Sequence, residues 1–561
     1  MNWEQKGSYA TVAEIVTAKS GLSEEELLNP SPIASNTIKN LETAAHVIKE
    51  AIDAHHQINI MGDYDVDGIT SSAILHFLVN KMGGNPYVRL PRRMSEGYGL
   101  KTSTVDEFKA GLLITVDNGI AANEAIQVAK DKGLTVVILD HHLPQDELPC
   151  ADVIVDPHVS PNDNGFVDYC GAGLAYKLCQ LIYPHENDFL MLMEELATIG
   201  TIADSMPLIG DNRYIVKNGL KNLKEGKILL PGIKALLNEA EIYDIDEYDI
   251  GFKIGPMLNA AGRLRDDGAM LSFKAVTAAT STAASKLVKE LKTLNEERKT
   301  LTASAEQNVE KIIQEECMYY DAPMCILAED IPEGIVGIIT GRIAEKYKTP
   351  TFILTTTETP GLYKGSGRSY GDYNLMTAVN AAMPYLAAGG GHAGAAGISV
   401  REENYVDMVN AMRDAMEAYE APDNEVLEYD LEISAPDVFK ALEEVKKYAP
   451  YGQHNPKPVF LIKDVLLSPR NGATVKYMGK SMEHVKLLSR GFSAICFGAS
   501  ETYRKQGCPI NLDIVGCLSM NVFRYASELQ IEGIEFRPHI ATAKTSKPTS
   551  LLDAIKRNGT I

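Results

Sequence analysis

Acidic residues and histidines directly follow three short apolar runs in the first third of the chain. INIM (58–61) leads into GDYDVDG, LLITV (112–116) leads into DNG, and TVVIL (135–139) leads into DHH. Short apolar runs that alternate with helical stretches predict buried parallel strands with helices on both faces of the sheet. Because the carboxyl ends of parallel strands lie at the same edge of a sheet, we expect the three polar segments to meet at one site.

The side chains expected at this edge favour a metal site. They are Asp63, Asp65, Asp67, Asp117, Asp140, His141 and His142. Carboxylates gathered in one place repel one another unless a cation neutralises them, and aspartate with histidine suits manganese or magnesium better than calcium. A calcium loop of EF-hand type would need a glutamate at its twelfth position, where this chain has Ile74. Taken alone, Asp117 also suits a helix N-cap and the two histidines a surface turn, but their joint position at strand ends argues against both alternatives.

Composition limits the class of protein. The 561 residues are enough for three or four domains, and no apolar run approaches the ~20 residues of a membrane span. The N-terminus MNWEQKGSYA lacks the basic start and apolar block of a secretory signal, so the prediction is a cytoplasmic protein. The net charge of −21 argues against a basic exterior but is compatible with a local basic groove. No C-x-x-C pair occurs, which argues against a zinc site of the usual spacing.

The pattern of apolar runs and breaks divides the chain into six regions. Residues 281–318 contain no glycine or proline, which predicts one long helix that joins two domains and leaves a cleft between them. The regions are a helical N-terminal segment (1–54), an α/β domain with a parallel sheet (55–280), the connecting helix (281–318), a second α/β domain (319–425), a strand-rich barrel or sandwich (428–540) and a tail (541–561).

Several motifs resemble those of a known family. GDYDVDGITSSAIL, ITVDNGI, ILDHHLP and IADSMPL, in this order, resemble the first four motifs of the DHH phosphoesterases, and GGGHAGAAGISV resembles the signature of the DHH-associated domain. LPRRMSEGYGL, GAGLAYKL, LNAAGRL and the segment from Pro450 to Phe460 are similar to the RecJ branch of that family. The resemblance spans about residues 55–535. It implies an α/β fold with a parallel-sheet DHH domain, the long helix, a DHH-associated domain and a C-terminal OB-like barrel.

The resemblance also implies a set of metal ligands: Asp63, Asp65, Asp67, Asp117, His141 and Asp204. In this set Asp117 bridges two divalent ions, with manganese preferred and magnesium as the alternative. His142 contacts the scissile phosphate, so that Asp117, His141 and His142 form the catalytic group.

A second set of residues is implied to bind the substrate: Arg368, Ser369, Gly390, Gly391, His392 and Gly397. Glycines suit this role because backbone amides can approach a phosphate where side chains are missing. Taken alone, the glycine cluster also suits a tight packing turn. His392 alone suits a core or capping histidine, and Arg368 alone suits a surface ion pair.

The chain departs from the RecJ pattern at three places. Ile331-Pro332 stands where many relatives have Trp-His, Met257 where an arginine is frequent, and Asp156-Pro157 where Asn-Pro is frequent. The first two changes remove DNA contacts, so they concern affinity and end preference rather than metal chemistry.

The resemblance to the RecJ branch implies hydrolysis of single-stranded DNA from the 5′ end, with release of mononucleotides, in DNA repair and recombination; the residues themselves show no polarity. A single-stranded-DNA-binding protein and a helicase are the expected protein partners, while the oligomeric state is unknown. An OB-like barrel offers aromatic residues on which bases can stack, and the candidates are Tyr477, Phe492, Phe497, Phe523 and Tyr525, although core packing is the expected role of most of them.

Two alternatives remain at this point. A family member acting on short oligoribonucleotides or cyclic dinucleotides would usually lack the barrel region. A scaffold that has lost catalysis would typically have lost metal ligands, which this chain retains.

Overall fold

The computed structural model describes residues 2–540, except residues 164, 227–228, 417–418, 420–425, 471, 480 and 524–525. The predicted tail (541–561) therefore lies outside the described residues. Within them, no helix is long and apolar enough to cross a membrane.

The strands follow one another from the start of the chain to its C-terminal part. They are β1 (Asn2–Gln5), β2 (Gln57–Met61), β3 (Pro86–Arg89), β4 (Gly111–Val116), β5 (Thr135–Leu139), β6 (Val153–Val155), β7 (Met324–Leu327), β8 (Thr351–Thr356), β9 (Leu362–Arg368), β10 (Leu386–Gly391), β11 (Ala395–Arg401), β12 (Val426–Tyr429), β13 (Leu431–Ser434), β14 (Phe460–Leu466), β15 (Val475–Met478), β16 (His484–Leu488), β17 (Phe492–Cys496), β18 (Asn511–Phe523) and β19 (Ala526–Pro538).

Helices lie between most of these strands. They are α1 (Val12–Ser20), α2 (Glu24–Leu28), α3 (Leu41–Asp53), α4 (Val66–Lys81), α5 (Thr102–Val105), α6 (Asn123–Asp131), α7 (Gly171–Ile182), α8 (Asn187–Ala203), α9 (Gly210–Glu225), α10 (Pro231–Glu239), α11 (Glu247–Asp249), α12 (Gly255–Leu264), α13 (Gly268–Val276), α14 (Ser281–Glu315), α15 (Glu333–Tyr347), α16 (Leu375–Ala382), α17 (Tyr405–Asp414), α18 (Val438–Lys447) and α19 (Ser500–Lys505).

The first sheet is parallel throughout, with the strand order β3-β2-β4-β5-β6. Successive side chains of a strand point to opposite faces, and both faces are buried here. On one face Ile114 and Val137 join the core formed with α3, α4, α7 and α8. On the other, Leu113 and Val136 pack with α6. This confirms the predicted parallel-sheet domain and makes β2, β4 and β5 direct neighbours.

The long connecting helix and the second α/β domain are also confirmed. Helix α14 runs for 35 residues, about 52 Å, and begins where Thr280 Oγ1 accepts a hydrogen bond from Ala283 N. The sheet that follows has the order β10-β11-β9-β8-β7, in which β7 and β8 are parallel and the other neighbours are antiparallel.

The chain divides into two compact units. One comprises residues 19–424 and 449–456, and therefore holds both α/β domains. The other comprises the described parts of residues 1–18, 425–448 and 457–561, and it carries a sheet of order β13-β14-β18-β19-β17-β16-β15. This mostly antiparallel sheet confirms the predicted C-terminal OB-like domain.

The N-terminal strand was not among the predicted elements. Strand β1 pairs in parallel with β12, so that the start of the chain belongs to the unit of the OB-like domain. Trp3 anchors it there, since its Nε1 donates to Glu535 Oε2 at 2.7 Å and the Arg537 guanidinium lies 4.0 Å from its ring centroid.

The candidate stacking residues of the OB-like domain differ in exposure. Phe492 is 3% exposed and belongs to the core, the role expected for most of the candidates, so it is not a base contact. Phe497 is 69% exposed, and Tyr477 is half-buried with the guanidinium of Arg504 4.5 Å from its ring centroid. The side chain of Phe523 and all of Tyr525 lie outside the described part of the chain.

Candidate active site

Polar residues from three neighbouring strands meet at the carboxyl edge of the parallel sheet. Gly62 and Asp63 follow β2, Asp117 follows β4, and Asp140 to His142 follow β5. Asp204 comes from elsewhere, as the residue that ends α8. The arrangement is that expected from the sequence, because consecutive carboxyl ends of parallel strands share one edge.

The site contains three sets of potential metal ligands, and within each set the ligand atoms lie within 4.8 Å of one another. They are Asp63, Asp65 and Asp117; Asp67, His141 and Asp204; and Asp117, His141 and His142. His141 Nε2 lies 3.1 Å from Asp117 Oδ1, 3.7 Å from Asp204 Oδ2 and 3.8 Å from Asp67 Oδ2. The structure thus brings together every residue predicted as a metal ligand.

The carboxylates of this site, Asp63, Asp65, Asp67, Asp117 and Asp204, form the acidic cluster. Two helix N-termini hold part of it in place. Asp65 caps α4 by accepting a hydrogen bond from Gly68 N at 3.1 Å. Asp67 accepts from Gly171 N at 2.6 Å and Ala172 N at 2.9 Å, the first amides of α7. The positive end of a helix dipole and its free amides stabilise carboxylates at such positions.

The first residue of the motif GAGLAYKL, Gly171, lies too close to the carboxylates to carry a side chain. A Cβ atom at this position would lie 2.8 Å from Asp117 Cβ and 3.0 Å from Asp67 Oδ2. Only glycine therefore lets the start of α7 approach the two carboxylates closely enough to donate hydrogen bonds.

The acidic cluster carries more carboxylates than its surroundings neutralise. Burial, and then the neighbouring carboxylates, raise the pKa values of Asp63 and Asp117 well above their usual range. Burial together with Asp67 and Asp65 raises the pKa of Asp204 to about 8. Oxygen donors joined by one imidazole, at a place where negative charge is costly, fit divalent ions such as manganese or magnesium.

His142 lies beside the cluster and is held by Asp140. Its Nδ1 is 2.8 Å from Asp140 Oδ1, and the same carboxylate accepts hydrogen bonds from His141 N at 2.8 Å and Ile120 N at 2.9 Å. Burial lowers the pKa of His142, but the hydrogen bond and charge of Asp140 outweigh it and raise that pKa to about 9. Asp140 thus favours the protonated imidazole, which can donate a hydrogen bond to an anion.

A group of arginines lies next to the acidic cluster and was only partly predicted. Burial lowers the pKa of Arg263 to about 9, and the charges of Arg93, Arg298 and Arg368 act in the same direction. Arg93 stacks over the Tyr64 ring at 4.5 Å and lowers the pKa values of Asp63 and Asp65 through its charge. Arg93, Arg263 and Arg368 are called the arginine cluster below.

The arginine cluster joins the two α/β domains through contacts with the backbone and with a serine. Arg263 Nη1 donates to Gly334 O at 2.9 Å, and Arg368 Nη1 donates to Ser366 Oγ at 2.7 Å. Within the described part of the chain, neither Arg263 nor Arg368 forms an ion pair with a carboxylate. Cations that repel one another without a counter-ion suit an anionic ligand such as phosphate.

The remaining predicted substrate-binding residues lie along one edge of the second sheet. Gly390 and Gly397 are partners across β10 and β11, and a Cβ atom at either position would meet nothing within 4 Å. Ser369 N donates to Gly394 O at 3.0 Å, and His392 Nδ1 accepts from Gly394 N at 3.2 Å. The strands thus present an exposed backbone without side chains, while Gly391, at φ 154°, has no room for a Cβ because Ala395 O would lie 2.3 Å away.

Of the residues that depart from the RecJ pattern, Met257, Ile331 and Asp156 are buried, whereas Pro332 is exposed. Met257 is a core residue of α12. Ile331 is buried, and its N–H and C=O are both bonded to the hydroxyl of Thr355, at 3.2 and 2.9 Å. Burial raises the pKa of Asp156 to about 7, although its Oδ1 accepts from His158 N at 2.8 Å. Met257 and Ile331 therefore contribute to the hydrophobic core of this chain.

Three segments of the chain match known domain families. Residues 57–203 match the DHH family, N-terminal domain, residues 321–418 the DHHA1 domain, and residues 429–534 the RecJ OB domain. The first match includes β2, β4, β5 and their polar ends.

Relatives from bacteria align over most of the chain. The single-stranded-DNA-specific exonuclease RecJ of Haemophilus influenzae is 30% identical over 494 residues, which cover 83% of this chain and 83% of that protein. The Bacillus subtilis protein of the same name is 31% identical over 506 residues, which cover 88% of this chain but 63% of that protein. The chain thus spans less than two thirds of the length of the second relative.

A solved RecJ structure resembles the fold of this chain. The crystal structure of RecJ from Thermus thermophilus in complex with Mn²⁺ matches with a TM-score of 0.77 at 25% identity, over 94% of this chain and 76% of that one. From the matching domains, the identities and the shared fold, the chain belongs to the RecJ family of single-stranded-DNA-specific exonucleases.

Proposed function

We propose that this chain is a metal-dependent exonuclease that hydrolyses phosphodiester bonds of single-stranded DNA, beginning at the 5′ end, in DNA repair and recombination. The observation that carries the proposal is the pairing of two clusters of opposite charge. A buried acidic cluster that needs cations lies beside an arginine cluster that needs anions. A phosphodiester held between bound metal ions and arginines satisfies both.

Two divalent ions, preferably manganese, would be held by Asp63, Asp65, Asp67, Asp117, His141 and Asp204. The chemistry that such ions supply when bound is a water of lowered pKa and a counter-charge for the phosphate oxygens. Asp117 is the candidate bridging ligand, because its carboxylate belongs both to the set with Asp63 and Asp65 and to the set with the histidines.

His142 is proposed to stabilise the scissile phosphate. Asp140 holds the proton at Nδ1, so that Nε2 can carry the second proton and donate it as a hydrogen bond to a non-bridging oxygen. A fixed donor at this place stabilises the charge that develops in the transition state, which is usually the largest contribution in such sites.

The arginine cluster, with Ser369 and the edge of Gly390, Gly391, His392 and Gly397, is proposed to bind the strand itself. Guanidinium groups donate paired hydrogen bonds to phosphate, and a bare backbone lets the strand approach closely. Arg93 and Arg263 belong to the first domain and Arg368 to the second, so one phosphate between them would fix the strand relative to the metal site.

The match of residues 429–534 to the RecJ OB domain supports a polymeric, single-stranded substrate. Domains of this kind bind unpaired bases by stacking, and the exposed Phe497 is the first candidate. The cytoplasmic location and the two protein partners, a single-stranded-DNA-binding protein and a helicase, stay predictions.

A degradation assay with manganese tests this function. It compares 5′-labelled single-stranded DNA, the same sequence as duplex, an RNA strand and a dinucleotide, using the native chain, Asp117→Ala and the exposed control Asp131→Asn. We expect the native chain and the control to release labelled mononucleotide from single-stranded DNA alone, and Asp117→Ala to release none. Preference for the dinucleotide would favour a small-substrate phosphodiesterase, and no activity on any substrate would favour a scaffold.

A further inference from the structure

The motif LPRRMSEGYGL forms a loop (residues 90–100, the 90–100 loop) that hydrogen bonds hold at two points, near its middle and near its C-terminal end. Met94 N and Ser95 N donate to Asp266 Oδ1 at 3.1 and 3.0 Å, and Ser95 Oγ donates to Asp266 Oδ2 at 2.6 Å. At the other end, Gly99 N donates to Asp63 Oδ1 at 3.2 Å. The loop is thus tied to the acidic cluster and to the turn after α12.

Tyr98 lies between these two anchors and contacts His142. Its hydroxyl donates to Asp117 O at 2.9 Å, and the same oxygen lies 3.2 and 3.4 Å from Nδ1 and Nε2 of His142. The two rings meet edge to face, with centroids 5.5 Å apart and planes at 70°.

The direction of these hydrogen bonds determines what Tyr98 presents to the imidazole. A backbone carbonyl can only accept, so the single hydroxyl proton of Tyr98 goes to Asp117 O. The lone pairs of the phenol oxygen are therefore left facing His142. This oxygen, 3.2 and 3.4 Å from the two ring nitrogens, and the phenol ring that meets the imidazole edge to face together limit rotation of the His142 ring.

Asp140 alone does not restrain the ring fully. It holds His142 through one nitrogen, and the His142 side chain is 44% exposed, so the imidazole has space to turn about the Nδ1 hydrogen bond. Tyr98 occupies part of that space. It also connects the ring to the backbone of Asp117, which carries a candidate metal ligand.

We infer that Tyr98 is a positioning residue for His142: with Asp140 it holds the imidazole in the orientation that places Nε2 toward the scissile phosphate. This inference rests on the proposed function for the role of His142, but not for the contact itself. Tyr98 acts through His142 and the chemistry remains that of the proposed exonuclease.

The first test measures kcat and KM on a single-stranded oligonucleotide for Tyr98→Phe and Tyr98→Leu. The control is Tyr87→Phe, since Tyr87 is an equally exposed tyrosine that packs edge to face on Phe108. We expect Tyr98→Phe to lower kcat about tenfold and Tyr98→Leu about a hundredfold, each with KM within about twofold of the native value. A change in KM alone would overturn the inference.

A double-mutant cycle separates positioning from a general loss of structure. In the His142→Gln background, Tyr98→Phe is expected to cause less than a twofold further loss, because the residue that it positions is absent. An undiminished tenfold loss in that background would show that Tyr98 acts independently of His142.

A spectroscopic measurement does not depend on activity. With ¹³C-labelled histidine and magnesium in place of paramagnetic manganese, the Cε1–H signal of His142 is identified as the one missing in His142→Gln. We expect that signal to shift or broaden in Tyr98→Phe and to stay unchanged in Tyr87→Phe. An unchanged signal in Tyr98→Phe would overturn the inference even if the chain proves to hydrolyse nothing, whereas a shifted signal without activity would count against the proposed function alone.

Discussion

The acidic cluster and the arginine cluster are built in opposite ways. The carboxylates come from strand ends and helix starts of one domain, and nearly all of them are bonded to backbone amides or to a histidine. The arginines come from a loop, a helix end and a strand of two domains, and their hydrogen bonds go mainly to backbone carbonyls. The first cluster is rigid and short of positive charge, and the second spans two domains and is short of negative charge.

This difference indicates which partner completes each cluster. Fixed ligands at short distances suit a small ion, whereas a cluster divided between two domains suits a larger anion that joins them. Changes that reduce the charge of either cluster should therefore stabilise the empty chain and weaken its function, although by different amounts.

The largest effect is expected for Asp117→Asn. We predict a loss of about a thousandfold in kcat, because a metal ligand and its charge are removed. In the absence of metal the variant should melt at a higher temperature than the native chain, since burial and like charges raise the pKa of Asp117 and so make its ionisation costly. Nuclease assays and metal-free thermal melting measure the two parts, with Asp131→Asn as control. A lower melting temperature without metal would contradict the electrostatic account of the acidic cluster.

Arg263→Met should have the next largest effect. The variant removes one cation from the arginine cluster, so binding of 5′-phosphorylated single-stranded DNA should weaken about tenfold, and the slope of log affinity against log salt should decrease by about 1. Fluorescence anisotropy at several salt concentrations, in the non-cleaving Asp117→Asn background, gives both values. Arg401→Met, at the exposed end of β11, is the matched control, and an equal loss there would contradict a localised anion site.

A buried carboxylate outside the acidic cluster provides a contrast in pH dependence. Burial raises the pKa of Glu195 to about 8, although Leu230 N donates to its carboxylate at 3.4 Å. Because the folded-state pKa exceeds the unfolded value, this group leaves stability highest below about pH 4.5 and reduces it as pH rises toward 8, by about 1 kcal/mol per pH unit or less.

Glu195→Gln should remove this slope in melting experiments between pH 5 and pH 8. Added magnesium should leave the effect of Glu195→Gln unchanged, whereas it should reverse the stabilisation by Asp117→Asn. A response of Glu195 to magnesium would show that it belongs to the metal site after all.

The smallest effect is expected for Gly397→Ala. Its Cβ would meet no atom within 4 Å, so the melting temperature should change by less than a degree or two. Affinity for the DNA strand should fall about threefold, because the added methyl group would crowd the phosphate that approaches the backbone there. Gly391→Ala should instead lower the melting temperature, because its Cβ would lie 2.3 Å from Ala395 O. If both variants bind DNA as the native chain does, the glycines of β10 and β11 serve packing and do not form a binding surface.

The acidic cluster could be predicted from the sequence because its geometry depends on a local rule. Asp63, Asp117 and His141 each follow a recognisable strand, and parallel strands bring such residues to one edge. Asp204 follows a helix instead, and only the family resemblance indicated its place.

The arginine cluster and Tyr98 could not be predicted in the same way. Arg93 and Tyr98 lie in a loop whose path depends on Asp266, more than 150 residues later in the chain. Nothing in the local sequence marks that contact. Similarly, an aromatic residue in a short strand such as FSAIC fits both a stacking surface and a core, and the structure buries Phe492 in the core.

Strand β1 escaped prediction because it has neither length nor alternating apolar residues. Its four residues NWEQ are mostly exposed, and its pairing partner β12 is a strand more than 400 positions away. Such an edge pair depends on Trp3 and its contacts with Glu535 and Arg537, which only the folded chain reveals.

The pairing of β1 with β12 has a consequence for synthesis. Ribosomes add about 5–20 residues per second, so Asn2–Gln5 would leave the ribosome some 20–80 s before Val426–Tyr429 is made. During that interval the early strand has an unpaired edge and an exposed tryptophan. A nascent chain of this protein is therefore expected to need protection of Asn2–Gln5, by a chaperone or by transient contacts, until Val426–Tyr429 has left the ribosome.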